Sequence, residues 1–458
     1  MGRSNQNPVV KRISTKANTS LSKVIIKLRG EGVGAILARG AGTSLMVKIV
    51  GTGVAFSVQV LLARVMGAEQ YGVYIYVLTW LNILASLATM GWDTALLRYV
   101  AAYNAKSEWG AFRGIWQTSN QFVLLASLSV SSLTGLAIWA LQNQLRPELT
   151  YTFWIGSAIL PILTLTSLRQ AVMRSLRHVA LAQLPDEILR PILLTVLVCI
   201  VAGRFAQPID SSTAMILNAI AAAIVFGIGA YCLNRLLPQP VKLSSPECRN
   251  REWLKVALPM FLISGMYLIL NQTDTIMIGA MLGTTQAGIY AAVCRMANLT
   301  LFGITAVNAI AAPMISQLYT SGQHSELQRM VTLAARGIFL VSVPIALLLI
   351  FGGNKLLTLF GSPFVEGFPA LVILTVGQLV NALSGSVGFL MTMTGHQREA
   401  ALVIGGSAIL NVVLNTALIP VLGINGAALS TALTTILWNT IMLVYVHKQL
   451  KINSTIFF

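Results

Sequence analysis

Charge is what this chain has least of. Only 14 Asp and Glu and 31 Lys and Arg stand among 458 residues, so 10% of the chain is charged. A soluble domain carries about 25%. The deficit argues against a water-facing surface, and so against a soluble enzyme, a disordered protein or a fibrous one. Cysteine is also sparse. Cys199, Cys232, Cys248 and Cys294 stand far apart with no CxxC, which leaves zinc ribbons and redox motifs unsupported and suggests single thiols buried in apolar helices. The four histidines, at 178, 324, 396 and 447, form no HExxH or HxxxH cluster. GxSxG is absent, as is GxxxxGK followed by Ser or Thr. No metal, nucleotide or other cofactor is implied.

What the chain has in quantity is apolar: 55% of its residues are hydrophobic. That composition points to an all-α polytopic membrane protein. The net charge of +17 would suit nucleic acid on a polar face, but here the charges sit between apolar runs, so no nucleic-acid partner is expected. A bilayer core needs about 20 apolar residues per helix. Twelve candidate spans answer to that length, near 43–63, 74–97, 116–141, 152–173, 188–203, 212–233, 256–282, 286–312, 334–352, 368–394, 400–420 and 424–446. With both termini inside, 26 Lys and Arg fall on the cytoplasmic side, four on the other and Arg295 within a span, which is the positive-inside pattern of an inner-membrane protein. No cleavable signal precedes them. Residues 21–39 mix apolar and basic side chains, and read either as a segment lying on the anionic inner leaflet or as a solvated tail.

The chain repeats itself at an offset of 216. ARVMGAEQYGVY (63–74) parallels GAMLGTTQAGIY (279–290), matching Gly67, Gln70, Gly72 and Tyr74 to Gly283, Gln286, Gly288 and Tyr290. Asn82, Tyr103 and Arg113 likewise match Asn298, Tyr319 and Arg329. Each half then holds six helices, and an even number returns the chain to its starting side. The expected architecture is two parallel six-helix lobes around a central cleft, rocking for alternating access. Its divisions are a basic cytoplasmic segment 1–42, a first lobe 43–237, a cytoplasmic linker 238–255, a second lobe 256–446 and a cytoplasmic tail 447–458. The four loop glycines, Gly67, Gly72, Gly283 and Gly288, suit tight turns with positive φ.

The blocks ARVMGAEQYGVYIYVLTWLNILASLATMGWDTALLRYVAAYNAKSEWGAFRG (63–114) and LNQTDTIMIGAMLGTTQAGIYAAVCRMANL (270–299) resemble the two lobe signatures of bacterial polysaccharide flippases. These are O-antigen-type members of the multidrug, oligosaccharidyl-lipid and polysaccharide exporter superfamily, which commonly carry twelve or fourteen spans. The resemblance covers nearly the whole chain from about residue 35. It implies a flippase that moves a polyprenyl-pyrophosphate-linked oligosaccharide from the inner to the outer leaflet, through a cationic cleft.

Ionisable groups inside a membrane cost about 2.5–3.5 kcal/mol on insertion scales and mark pathways. Asp274 lies mid-span, and a proton or sodium gradient coupled there is the expected driving force. Arg295 stands at similar depth across the turn at 283–285 and is the expected partner or lumen cation. Asp93 and Arg98 form a shallower candidate pair, and Lys48 and Arg64 lie near span ends. Substrate contacts are expected first from Arg295, then Arg98, Lys48 and Arg64, with Asn271, Gln272 and Asn298 bonding sugar hydroxyls or bridging helices. Pro259 and Pro344 interrupt their helices and suggest hinges. Met391 and Met393 read as packing or as an adaptable lining.

Two other readings compete. A cation or drug exporter of the same superfamily needs acidic and aromatic groups in its cleft. A membrane-embedded glycosyltransferase or polymerase needs catalytic acids on sizeable external loops, and the longest such loop, 353–367, carries only Glu366.

Overall fold

The computed structural model describes residues 33–205 and 209–454, and every regular element among them is helical. In chain order these are α1 (Val33–Thr89), α2 (Trp92–Lys106), α3 (Trp109–Leu141), α4 (Pro147–Ser175), α5 (Val179–Leu184), α6 (Arg190–Phe205) and α7 (Ser211–Leu236). There follow α8 (Gln239–Leu243), α9 (Asn250–Met281), α10 (Thr284–Ala297), α11 (Phe302–Thr320), α12 (His324–Leu357), α13 (Phe368–Leu383), α14 (Val387–Met393), α15 (Gln397–Leu422) and α16 (Ile424–Leu450). Nine stretches among the described residues are long and apolar enough to cross a bilayer. Outward-facing apolar side chains such as Phe351 (82% exposed) and Leu340 (75%) fit a surface solvated by lipid tails. The chain is thus an all-α polytopic membrane protein. Most of the segment 21–39 lies outside the described residues.

Breaks in the helices have local causes. α1 turns at Gly67, whose φ of 74° and ψ of 168° are non-helical. Gly283, its repeat mate, has φ 95° and separates α9 from α10. Both glycines meet the positive-φ expectation. Gly72 and Gly288 do not. They lie within α1 and α10, and their role is close approach: a Cβ on Gly288 would stand 2.6 Å from the Gly72 Cα. The two repeat-equivalent glycines therefore meet where the halves cross. Three expected spans are broken. The second is interrupted at Met90 and Gly91, the eighth by the 3₁₀ turn Asn298–Leu301, and the tenth between α13 and α14, where Gly385 has φ 70°. The fifth starts earlier than expected, since α5 and α6 join through a π-turn, Pro185–Leu189, that keeps Asp186, Glu187 and Arg190 within a helical run.

The core branches. One apolar cluster takes in both halves, from Leu62, Tyr71 and Tyr74 to Tyr290, Phe360 and Phe364. Phe56 and Phe360, and Tyr71 and Phe364, meet edge-on with ring centroids 5.6 Å apart. At the same end Arg64 donates to the carbonyls of Leu359 (2.7 Å) and Thr358 (2.9 Å), capping the C-terminal end of α12. At the opposite end the core is two clusters. One gathers Trp92, Leu96, Tyr103 and Phe112 of the first half, and the other Ile315, Leu327, Leu390 and Val446 of the second.

Helix α9 joins the two regions. Its start at Asn250 lies within the expected linker and docks on the first half, where Trp253 Nε1 donates to the Tyr103 hydroxyl at 3.0 Å. The preceding segment is strapped to α3 by Arg113, which donates to the carbonyls of Lys242 and Ser244 at 2.7 Å each. Arg249 pairs with Glu108 and Glu247, and the hydrogen bond that it donates to Glu247 raises its pKa. The second half ends in a like way, with Gln328 of α12 holding the backbone of Asn453. All four cysteines are free; Cys199 and Cys248 are exposed, contrary to the expectation of buried thiols.

Candidate functional site

α9 carries Asp274 into the interior of the second half, where it is 5% exposed. A bare carboxylate at that depth would be prohibitively costly, so the surrounding helices must solvate it. They do so with neutral donors. Tyr290 of α10 donates its hydroxyl to Oδ2 at 2.6 Å, Asn415 of α15 donates Nδ2 to Oδ1 at 2.6 Å, and Thr431 of α16 donates to Oδ2. Asn411, one turn before Asn415, accepts from the Asn415 amide and donates to Thr431, both at 3.1 Å, which closes the ring. The Asn415 Oδ1 is buried without a partner. The donor set is oxygen and amide around one formal charge, chemistry that suits a proton or a small hard cation.

The expected Asp274–Arg295 pair does not form; no ion pair to Asp274 exists among the described residues. Counting from the turn matched the depths but not the faces. Tyr290 is the α10 residue that meets Asp274, and Arg295, five residues on, points about 140° away at about 100° per residue. Arg295 is half-buried and has no hydrogen bond or ion pair among the described residues. Its field reaches Tyr71 and Tyr74 of α1, at the seam between the halves. Asp93 and Arg98 also fail to pair, being five residues apart on one helix. Arg98 is exposed against the Tyr99 ring, and Asp93 sits in the first turn of α2, where the helix dipole favours it. Lys48 is exposed on α1. Arg64 is engaged as the cap on α12 described above.

Asn271 and Asn298 meet at a polar cavity of about 190 Å³ whose walls also include Asn411 and Thr431. Gln272 is half-buried and is not one of its walls. Two further arginines, Arg169 and Arg190, stand inside the first half. Arg169 is 4% exposed, with Nη2 2.6 Å from Asp186 and Nη1 on the carbonyls of Val225 and Phe226. It lies against Gly229, where any Cβ would stand 1.7 Å from Nη1. Arg190 donates to Asn218 at 3.1 Å, and its field also reaches Tyr74. The acids of the PDEIL run were the signal that a helix, not a loop, needed partners there.

Residues 37–319 match the profile of the family described as polysaccharide biosynthesis protein, well over half of the chain. The chain belongs to the polysaccharide biosynthesis protein family. It is 25% identical over 406 residues to the probable low-salt glycan biosynthesis flippase Agl15 of Haloferax volcanii, covering 87% of this chain and 81% of that one. The probable flippase AglR of the same organism is 26% identical over 227 residues, 48% and 46% of the two chains. Among solved structures, an inward-facing multidrug resistance MATE family transporter of the MOP superfamily superposes with a TM-score of 0.68 at 14% identity, covering 89% of this chain and 94% of that one. A MOP superfamily transporter from Pyrococcus furiosus, titled for the reversed polarity of its binding pocket, gives a TM-score of 0.64 at 13% identity, with coverages of 93% and 97%. The chain thus has the polysaccharide biosynthesis family's sequence and a fold shared with these membrane transporters.

Proposed function

We propose that this polysaccharide-family protein flips a polyprenyl-pyrophosphate-linked oligosaccharide from the inner to the outer leaflet of the cell membrane. Its twelve crossings form two six-helix lobes, 43–237 and 256–446, with both termini cytoplasmic, and transport proceeds by alternating access. The branched core supports this. The halves share one apolar cluster at the end bearing the 64–74 and 357–367 segments and hold separate clusters at the other, the shape of a carrier open to one side. α9 spans both regions, so its Pro259, which breaks the i→i−4 ladder, is the natural bend. The cationic groups Arg295 and Arg190 near the seam suit a pyrophosphate.

The observation that carries the ion-coupled reading is the Asp274 cage. A lone carboxylate held by neutral donors from three other helices is poised to exchange a proton or sodium ion. The repeat does not copy it: at the offset of 216 the first half has Val58, 4% exposed. Coupling therefore belongs to the second half.

Deletion of the gene followed by lipid extraction tests the substrate. Lipid-linked repeat units trapped on the cytoplasmic leaflet support the flippase; altered drug sensitivity with normal polysaccharide supports a drug exporter. The exporter reading has one structural observation in its favour, an apolar cavity of about 570 Å³ in the first half that includes Tyr76, Trp80 and Phe153. In proteoliposomes, Asp274→Asn is expected to transport without responding to the ion gradient. Unchanged gradient dependence in that variant removes Asp274 from the coupling role.

A further inference from the structure

The second half holds two adjoining cavities of about 190 Å³ each, which share Asn381 and Trp438 as walls. Their linings are unusual for a membrane interior. The first presents Asn271, Asn298, Gln378 and Asn381 with the hydroxyls of Ser407 and Thr435, and the second adds Asn308, Ser386 and Asn439. Among the described residues, no Asp, Glu, Lys, Arg or His lines either one. Amides are costly at this depth unless they bond to each other, to water or to a ligand. Some bond to each other: Asn381 donates to Gln378 at 3.2 Å, and Ser386 donates to Asn308. The set is not closed, because the indole N–H of Trp438 is buried without a partner among the described residues. Asn271 and Asn298 are exposed at its edge.

We infer that these cavities are a binding subsite for uncharged sugar rings, separate from the cationic seam that takes the pyrophosphate. The inference rests on the flippase reading above and adds the part of the cargo recognised here. The chemistry fits a pyranose. Side-chain amides and hydroxyls offer both donors and acceptors to ring hydroxyls, and an indole offers a flat apolar face with one polar edge. The absence of charge excludes the pyrophosphate itself, whose recognition needs cations. The volumes suit rings better than single waters, which take about 30 Å³ each in the liquid.

The subsite also touches the ion site. Asn411 and Thr431 line the first cavity and belong to the ring around Asp274. A sugar hydroxyl that bonds to either one competes with their hold on the carboxylate. Cargo in the cavity thereby changes the affinity of Asp274 for its ion, and the ion changes the affinity for cargo by the same factor.

The test measures binding to the full-length protein in nanodiscs with two kinds of probe: bare undecaprenyl pyrophosphate, and the same lipid carrying a single hexose or N-acetylhexosamine. The readout is the ratio of the affinities. The unmodified protein is expected to bind a glycosylated lipid about tenfold or more tightly than the bare one, as a few buried hydrogen bonds allow. Gln378→Leu and Trp438→Phe, each checked for folding by thermal unfolding, are expected to lower that ratio toward one. A ratio of one across the sugar panel in the unmodified protein overturns the inference and leaves the flippase reading standing. So does a ratio retained in both folded variants, which makes the cavities a water path to Asp274. Failure to bind even the bare lipid overturns the flippase reading, and this inference with it.

Discussion

Asp274 shows how a membrane protein keeps a carboxylate with no counter-ion among the described residues. Each neutral donor supplies a hydrogen bond that water would otherwise make, and a hydrogen bond to a charged group contributes about 1.5–3 kcal/mol. Tyr290 is the donor best suited to a test, because Tyr290→Phe removes one hydroxyl and leaves the ring packing intact. We expect that variant to fold, to unfold at a lower temperature by an amount matching about 1–3 kcal/mol, and to respond to the ion gradient over a shifted concentration range. An unchanged ion response combined with lowered stability makes Tyr290 a packing residue only. Asp274 was legible in the sequence because an acid inside an apolar run has few explanations. Its partners were not. Tyr290, Asn415 and Thr431 are residue types that pack or bond equally well in a helix, and hydropathy carries depth but not direction around the axis. The same blindness produced the expected pairs of Asp274 with Arg295 and of Asp93 with Arg98. The spacing of Asn411 and Asn415 in LNVVLN, one helical turn, was the one local hint of a shared polar face.

At the level of helices, the repeat in the sequence marks a crossing in space. Gly72 and Gly288 bring α1 and α10 together with backbone against backbone, and the side chain of Thr285 is not what limits them: a Cβ on Gly72 would meet the Thr284 carbonyl oxygen at 2.2 Å. Backbone cannot step aside as a flexible side chain can. Gly288→Ala is therefore expected to cost about 1–3 kcal/mol as overpacking. Gly227→Ala on α7 is the control, since nothing lies within 4 Å of its added methyl and alanine favours the helix by up to about 1 kcal/mol. Thermal inactivation half-lives of the two variants in the same detergent make the comparison. Equal half-lives mean the helices do not cross so closely. The positive-φ glycines Gly67 and Gly283 were legible because a turn between apolar runs leaves few other uses for glycine. The close-packed pair was not, because an approach between segments 216 residues apart leaves no local trace. The breaks near Gly91 and Gly385 escaped for a related reason: hydropathy runs smoothly across them.

At the scale of the whole molecule, the long apolar runs made the all-helical membrane class readable. The conformation was not readable, because one sequence must serve both states of the proposed carrier. It is visible only in how the core divides. Arg64 and the Phe56–Phe360 and Tyr71–Phe364 contacts tie the halves at one end. Alternating access requires these ties to part in every cycle, so holding them must stop transport without unfolding either half. The experiment replaces the four cysteines at 199, 232, 248 and 294 with alanine, then introduces Arg64→Cys together with Leu359→Cys, exposed positions that meet across the halves. A short reducible bifunctional thiol reagent is expected to join the two positions readily in the absence of cargo, and to abolish transport in proteoliposomes. The joined protein still binds cargo from the open end, so binding persists while turnover is lost, and reduction of the linker restores turnover. Either single cysteine treated with the same reagent controls for bulk. Transport that continues with the two positions joined shows that this end never opens, and rules out the rocking of one half against the other.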